Sequence, residues 1–191
     1  MISAFEYVTV LISIVLGLGI TQVLTGIADL VHQSNRVKVY WPHFVWVFLV
    51  LLMHVQEWWV TYDLKNYEPW RLPTFFFIML YPVNLFILAR LLFPFGMQEG
   101  IIDLKTFYFE NYRKIFGFTG ALILLAILDG VFIRSRSILD ESLKLVLLLL
   151  MLFFISRKSL AELAHKIIAT VFLFLLLLSI AVEWNVWLIG N

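Results

Sequence analysis

Six stretches of roughly 20 mainly apolar residues follow one another along this chain, separated by connections too short to hold a further domain. They are Phe5–Val31, Trp41–Tyr62, Pro73–Phe95, Ile115–Ile133, Leu139–Ile155 and Ile167–Ile189. A hydrocarbon core about 30 Å thick takes about 20 residues of helix, and a helix satisfies its own backbone groups where no water is present. The expected fold is all-α: a polytopic integral membrane helical bundle of six transmembrane helices, forming a single domain over residues 1–191. Composition agrees, since 62% of residues are hydrophobic and 14% charged, against about 45–50% and about 25% in soluble domains. A water-soluble globular domain is excluded.

The fifth stretch is the shortest, because its unbroken apolar run extends only from Leu145 to Ile155, between Lys144 and Arg157. Snorkelling of those basic side chains lets it span; as a re-entrant or surface segment it would leave five spans. The first stretch begins without a basic flank and carries Glu6, so it is expected to remain as a span and not to be removed as a signal peptide.

Lys and Arg concentrate in cytoplasmic connections. The first, third and fifth connections hold Arg36, Lys38, Lys105, Arg113, Lys114, Arg157, Lys158 and Lys166, whereas the second and fourth hold Lys65, Arg71, Arg134, Arg136 and Lys144. Eight against five sets both termini outside. The longest connection, Gly96–Lys114, places Asp103, Thr106, Glu110 and Arg113 on one side and Ile101, Leu104, Tyr108 and Tyr112 on the other. It reads as a short cytoplasmic interfacial helix in the headgroup plane. Compact loops and the lack of an Asn-x-Ser/Thr acceptor point to a bacterial cytoplasmic membrane.

The first span carries a small or polar residue at every fourth position, Thr9, Ser13, Gly17, Thr21, Thr25 and Asp29. Small residues permit close helix approach, so this ridge is expected to pack inside the bundle. Gly117, Gly120 and Ala121 form a smaller version in the fourth span, and the Leu-rich fifth span is expected to face lipid. Pro82 removes a helix hydrogen bond beside Tyr81 and Asn84, where a kink is expected.

Ionisable side chains at membrane depth are costly and therefore the first functional candidates. The second span supplies His43, Trp46, His54, Gln56, Glu57, Trp58 and Trp59, with His54 and Glu57 adjacent on one helical face. In the proposed orientation Glu6, Glu57, Asp129 and Glu183 share the outer level, while Gln22, Asp29 and Arg90 sit near the inner side. The expectation is a polar vestibule or proton relay built from His54, Glu57, Asp129, Gln56 and Asn84, with Asp29 and Arg90 as an inner ion pair. A carboxylate as deep as Glu57 must be neutral, paired or wetted by a cavity. The bland alternative is that these groups tie helices together and that Glu6 and Glu183 sit in interfacial water.

Enzymatic chemistry has less to stand on. The chain has no cysteine, no Gly-x-Ser-x-Gly elbow, no His-Glu-x-x-His and no second histidine level with His54, so no cofactor, metal or catalytic residue is expected. A net charge of +1 offers no polybasic surface for nucleic acid. Aromatic residues mark belts, Trp58, Trp59, Tyr62, Tyr67, Trp70, Trp184 and Trp187 at the outer interface and Tyr40, Trp41, Tyr108 and Tyr112 at the inner. The functional expectation is a small channel-like or transport-related protein handling cations or protons, against a non-catalytic scaffold or sensor subunit acting through partners and lipid, with a membrane-embedded enzyme third. The lipid bilayer is the first partner; a second copy of the chain and a small cation or proton remain open.

Overall fold

Helix α1 (Ala4–His32) starts where Ser3 and Glu6 close a capping box, each side chain accepting from the other's backbone amide. Helices α2 (Trp41–Val60) and α3 (Leu72–Leu91) each place a proline, Pro42 and Pro73, in the first turn, where its fixed φ suits a helix start. A 3-10 turn, Thr61–Asn66, extends α2, and α4 (Leu104–Phe132), α5 (Ser142–Ser156) and α6 (Glu162–Val182) complete the chain. This computed structural model describes residues 3–94, 100–157 and 161–182.

The all-α bundle expected from the sequence is what the chain adopts. Five helices, all but α5, are long and apolar enough to cross a membrane, which makes this an integral membrane protein. Helix α5 has 15 residues, too few by themselves for a core about 30 Å thick. Its flanks extend its contact along α4: Glu141 lies over Gly130, while the Arg157 carbonyl accepts from Tyr112 and Arg113. The levels of Gly130 and Tyr112 are about 27 Å apart at 1.5 Å per residue.

Connections alternate between two ends. Val37–Lys38 and Ile102–Asp103 pair in parallel, Val37 with Ile102 and Lys38 with Asp103, so the α1–α2 and α3–α4 connections meet. The Arg157 contacts bring the α5–α6 connection to the same end, the Arg90 end. At the opposite, Glu57 end, the Phe5 and Tyr62 rings meet edge to face at 6.3 Å. The basic residues of the first, third and fifth connections thus gather at one end; Lys158 lies outside the described residues, as do Glu183, Trp184 and Trp187.

Two expectations are corrected. The interfacial helix does not exist as a separate element: Asp103 caps α4 by accepting from the Lys105 and Thr106 amides at 3.0 and 3.1 Å, and α4 continues unbroken to Phe132. Leu104, Tyr108 and Tyr112 are buried in the bundle, with Tyr108 against Tyr40 and both tyrosines against His165 of α6. The apolar periodicity is real, but protein covers it where headgroups were expected to.

The small-residue ridge of α1 faces outward. Gly17, Thr21, Thr25 and Asp29 are exposed, and a Cβ at Gly17 would meet nothing. The buried face is Ile12, Leu16, Gly19, Val23, Gly26 and Leu30, alternating steps of four and three that keep one seam toward neighbouring helices. Its two glycines are notches. His54 of α2 fills Gly19, and Phe93, just past α3, fills Gly26. On α4, Gly120 does face α5, against Leu148 and Met151, while Leu149 is exposed. Helix α5 therefore turns one face to α4 and the remainder outward.

Candidate functional site

The last turns of α2 and α4 bring the deepest carboxylates of the Glu57 end together. Asp129 lies one turn before the end of α4, and Arg134 follows in the connection, which turns through Ser135 at φ 53°. Arg134 then faces back. Its Nε donates to Asp129 Oδ2 at 2.7 Å, one Nη to Asp63 Oδ2 at 2.9 Å and the other to the Val60 carbonyl at 3.4 Å. One guanidinium thereby joins α4 to the end of α2 and its 3-10 extension. Burial works against the Arg134 charge, but its two carboxylate partners outweigh burial and hold its pKa above the ordinary arginine value.

Glu57 lies within electrostatic range of both Asp129 and Arg134, and Tyr81 of α3 within range of Glu57 and Asp129. Three helices converge there. Glu57 and Asp129 set two carboxylates against the one guanidinium of Arg134, which also reaches the exposed Asp63, so with all ionised the cluster is negative.

His54 is not part of this cluster. It is fully buried, its Nδ1 lies 2.7 Å from the Val50 carbonyl, and its Nε2 is directed into the Gly19 notch. Gln56 is half-buried and Asn84 buried, and among the described residues no interaction ties either to Glu57. Glu6 is engaged in its capping box at the exposed start of α1.

At the Arg90 end, Asp29 and Arg90 line one cleft of about 430 Å³ with Gln22, Thr25, His32 and Arg36. Among the described residues no ion pair joins Asp29 to Arg90. Phe93, seated in the Gly26 notch, and Leu30 give the cleft an apolar floor.

Sequence reasoning passed over three groups. Arg134 entered only as a loop charge, although its place five residues after Asp129, just past a helix end, was the available signal. Glu141 is 1% exposed, with Lys144 at 2.5 Å and Arg136 at 3.8 Å, and nothing local announces its burial. His165 sits among the rings of Tyr108, Phe109, Tyr112, Phe116 and Phe154, with centroids 4.8–5.8 Å away. Its Nδ1 lies 3.2 Å from Tyr108 Oη. The i, i+4 series Tyr108, Tyr112, Phe116 was the signal for that cluster. Comparison with protein-family models, with curated proteins and with solved structures returns no match.

Proposed function

We propose that the protein is a channel-like, transport-related membrane protein that handles protons or small cations at the Glu57–Asp129 cluster. The observation that carries this reading is the excess of carboxylate charge over guanidinium charge where α2, α3 and α4 converge. Such an excess at the edge of hydrocarbon is relieved by a proton or a bound cation. Arg134 already neutralises Asp129, which leaves Glu57 as the group that exchanges, with Tyr81 as its neighbour across the bundle.

Purified protein in liposomes tests this directly. Wild type is expected to pass protons or monovalent cations down a gradient, and Glu57→Gln, which keeps volume and hydrogen-bonding capacity, to abolish that flux while remaining folded. Wild-type flux in a folded Glu57→Gln variant would overturn the reading.

The orientation we propose puts the Glu57 end outside, in the cytoplasmic membrane of a bacterium, with the basic connections in the cytoplasm. Because the chain has no cysteine, single replacements report cleanly. Asn66→Cys should react with an impermeant thiol reagent on intact cells and Thr106→Cys only after lysis, and the opposite pattern would invert the topology.

A second reading, a non-catalytic scaffold or sensor subunit that works through lipid, partners or a second copy of itself, has its own support. One guanidinium serving Asp129, Asp63 and the Val60 carbonyl is what a helix-tying group requires. Liposomes without flux, together with strong dependence of the fold on Arg134, would favour it.

A further inference from the structure

A smaller cavity opens between α1 and the end of α2, at the Glu57 end, and neither reading of the Glu57 cluster uses it. Phe5, Thr9 and Ser13 line it from α1, Trp58 and Trp59 from α2, and Thr61 and Tyr62 from the 3-10 extension. Thr9 and Ser13 are the outer end of the small-residue ridge, and they are half-buried where Gly17, Thr21, Thr25 and Asp29 are exposed. Small side chains on α1 leave the room, and the aromatic turn of α2 walls it. Its volume, about 160 Å³, is below the about 300 Å³ at which sites for drug-sized ligands begin. That is room for one compact polyatomic group, at the aromatic-belt level where headgroups meet hydrocarbon.

The lining is rich in electrons and carries no charge. Phe5, Trp58, Trp59 and Tyr62 bring rings, whose faces are negative. Trp58 and Trp59 stand with centroids 6.4 Å apart and planes inclined at 66°, which makes them two walls of a corner. The Thr9 hydroxyl donates to the Phe5 carbonyl at 2.9 Å and the Thr61 hydroxyl to the Glu57 carbonyl at 2.7 Å. Both protons are thus engaged by the helix itself, and the two oxygens keep only lone pairs for a ligand. Among the described residues no charged side chain lines the cavity, so an anion finds no counter-charge there, whereas a cation finds ring faces. Tyr62 already draws one: Lys65 Nζ stands 4.6 Å from its ring centroid.

We propose that this cavity binds a quaternary ammonium group against the rings of Trp58, Trp59 and Tyr62, with Lys65 as its tethered competitor for Tyr62. Methyl groups spread the charge over C–H bonds that meet ring faces and ask for no hydrogen-bond acceptor. A metal cation or a primary ammonium, which holds its water tightly, would exchange that hydration for two hydroxyl lone pairs and lose by it. An acyl chain fills the same volume but gains nothing from the ring quadrupoles. The group is common to the choline headgroup of a phospholipid and to soluble methylated ammonium ions, and both reach this level of the membrane.

Full-length protein in a sugar-based detergent, titrated with choline and with its uncharged isostere in which a tert-butyl group replaces the trimethylammonium, tests the assignment by tryptophan fluorescence and calorimetry. Wild type should bind choline about tenfold more tightly than the isostere, the worth of a partly desolvated cation–π site. Trp58→Leu, at a position 51% exposed and so compatible with the fold, should erase that preference. Ser13→Leu, which fills the cavity from the α1 side, should abolish binding of both, and Lys65→Met should bind choline about threefold more tightly because Tyr62 loses its resident cation. Equal binding of choline and the isostere by wild type, an unchanged preference in Trp58→Leu, or choline binding untouched by Ser13→Leu would overturn the site. Choline binding that is no tighter in Lys65→Met would overturn the competitor role. Native mass spectrometry with phosphatidylcholine and phosphatidylglycerol separates the sources: a phosphatidylcholine preference that Trp58→Leu removes assigns the lipid headgroup, and choline binding without that preference assigns the soluble ion.

Discussion

Gly19→Ala is expected to destabilise the bundle by about 3 kcal/mol, the upper part of the range for overpacking a filled interior. The added Cβ would fall on the imidazole of His54. That ring has nowhere to go: it is fully buried and its Nδ1 is held at 2.7 Å from the Val50 carbonyl. Either the histidine leaves its rotamer and that contact, or α1 and α2 move apart and lose dispersion contacts along the seam. Gly26→Ala should act in the same direction through the Phe93 ring. Gly17→Ala is the control, since its Cβ meets nothing and alanine is the better helix former by about 1 kcal/mol. Thermal unfolding in detergent should therefore order the proteins Gly17→Ala at or above wild type, wild type, then Gly19→Ala well below. Adding His54→Ala to Gly19→Ala should recover part of the loss, with a coupling of about 1–3 kcal/mol. Equal melting of Gly17→Ala and Gly19→Ala would mean that the two faces of α1 have been exchanged.

Arg134→Gln should cost about 2 kcal/mol and loosen the Glu57 end. Breaking a buried ion pair costs about 3–5 kcal/mol because the remaining charge is uncompensated. Here Asp129 keeps 28% of its side chain exposed, so water recovers part of that cost. The contact with Asp63, whose side chain is 62% exposed, adds well under about 1 kcal/mol. Asp63→Asn should accordingly leave the melting temperature nearly unchanged, while Asp129→Asn combined with Arg134→Gln should be more stable than Arg134→Gln alone. An Arg134→Gln protein as stable as wild type would show that the guanidinium does not join α2 to α4.

These two expectations separate what a single strand of sequence discloses from what it conceals. Glu57 and Asp129 were legible as neighbours because depth and orientation follow from counting residues along each span. Arg134 was not, because its role depends on its amide being held at 3.1 Å by the Asp129 carbonyl at the end of α4, which keeps its guanidinium within reach of Asp129 and of the end of α2. His54 was assigned with Glu57 because residues three apart share a helical face. The structure turns His54 to α1 and Glu57 toward α3 and α4; side chains on one face of a central helix meet different neighbours. The Ile101, Leu104, Tyr108, Tyr112 periodicity was likewise legible, and its covering was not.

The sequence by itself determines that this chain crosses a membrane as helices, where those helices run, that α5 is the marginal one and which connections share an end. Each of these follows from a requirement that a segment meets alone: backbone groups in hydrocarbon must be bonded within the segment, and its length must match the core. Only the tertiary structure decides which face of α1 is buried. In water an apolar stripe marks the inside, but in a bilayer lipid tails are as apolar as leucine, so the outward and inward faces carry the same composition. Shape complementarity makes the choice instead. Gly19 and Gly26 receive His54 and Phe93, while the more regular ridge turns outward from Gly17 to Asp29, where a Cβ at Gly17 would meet nothing.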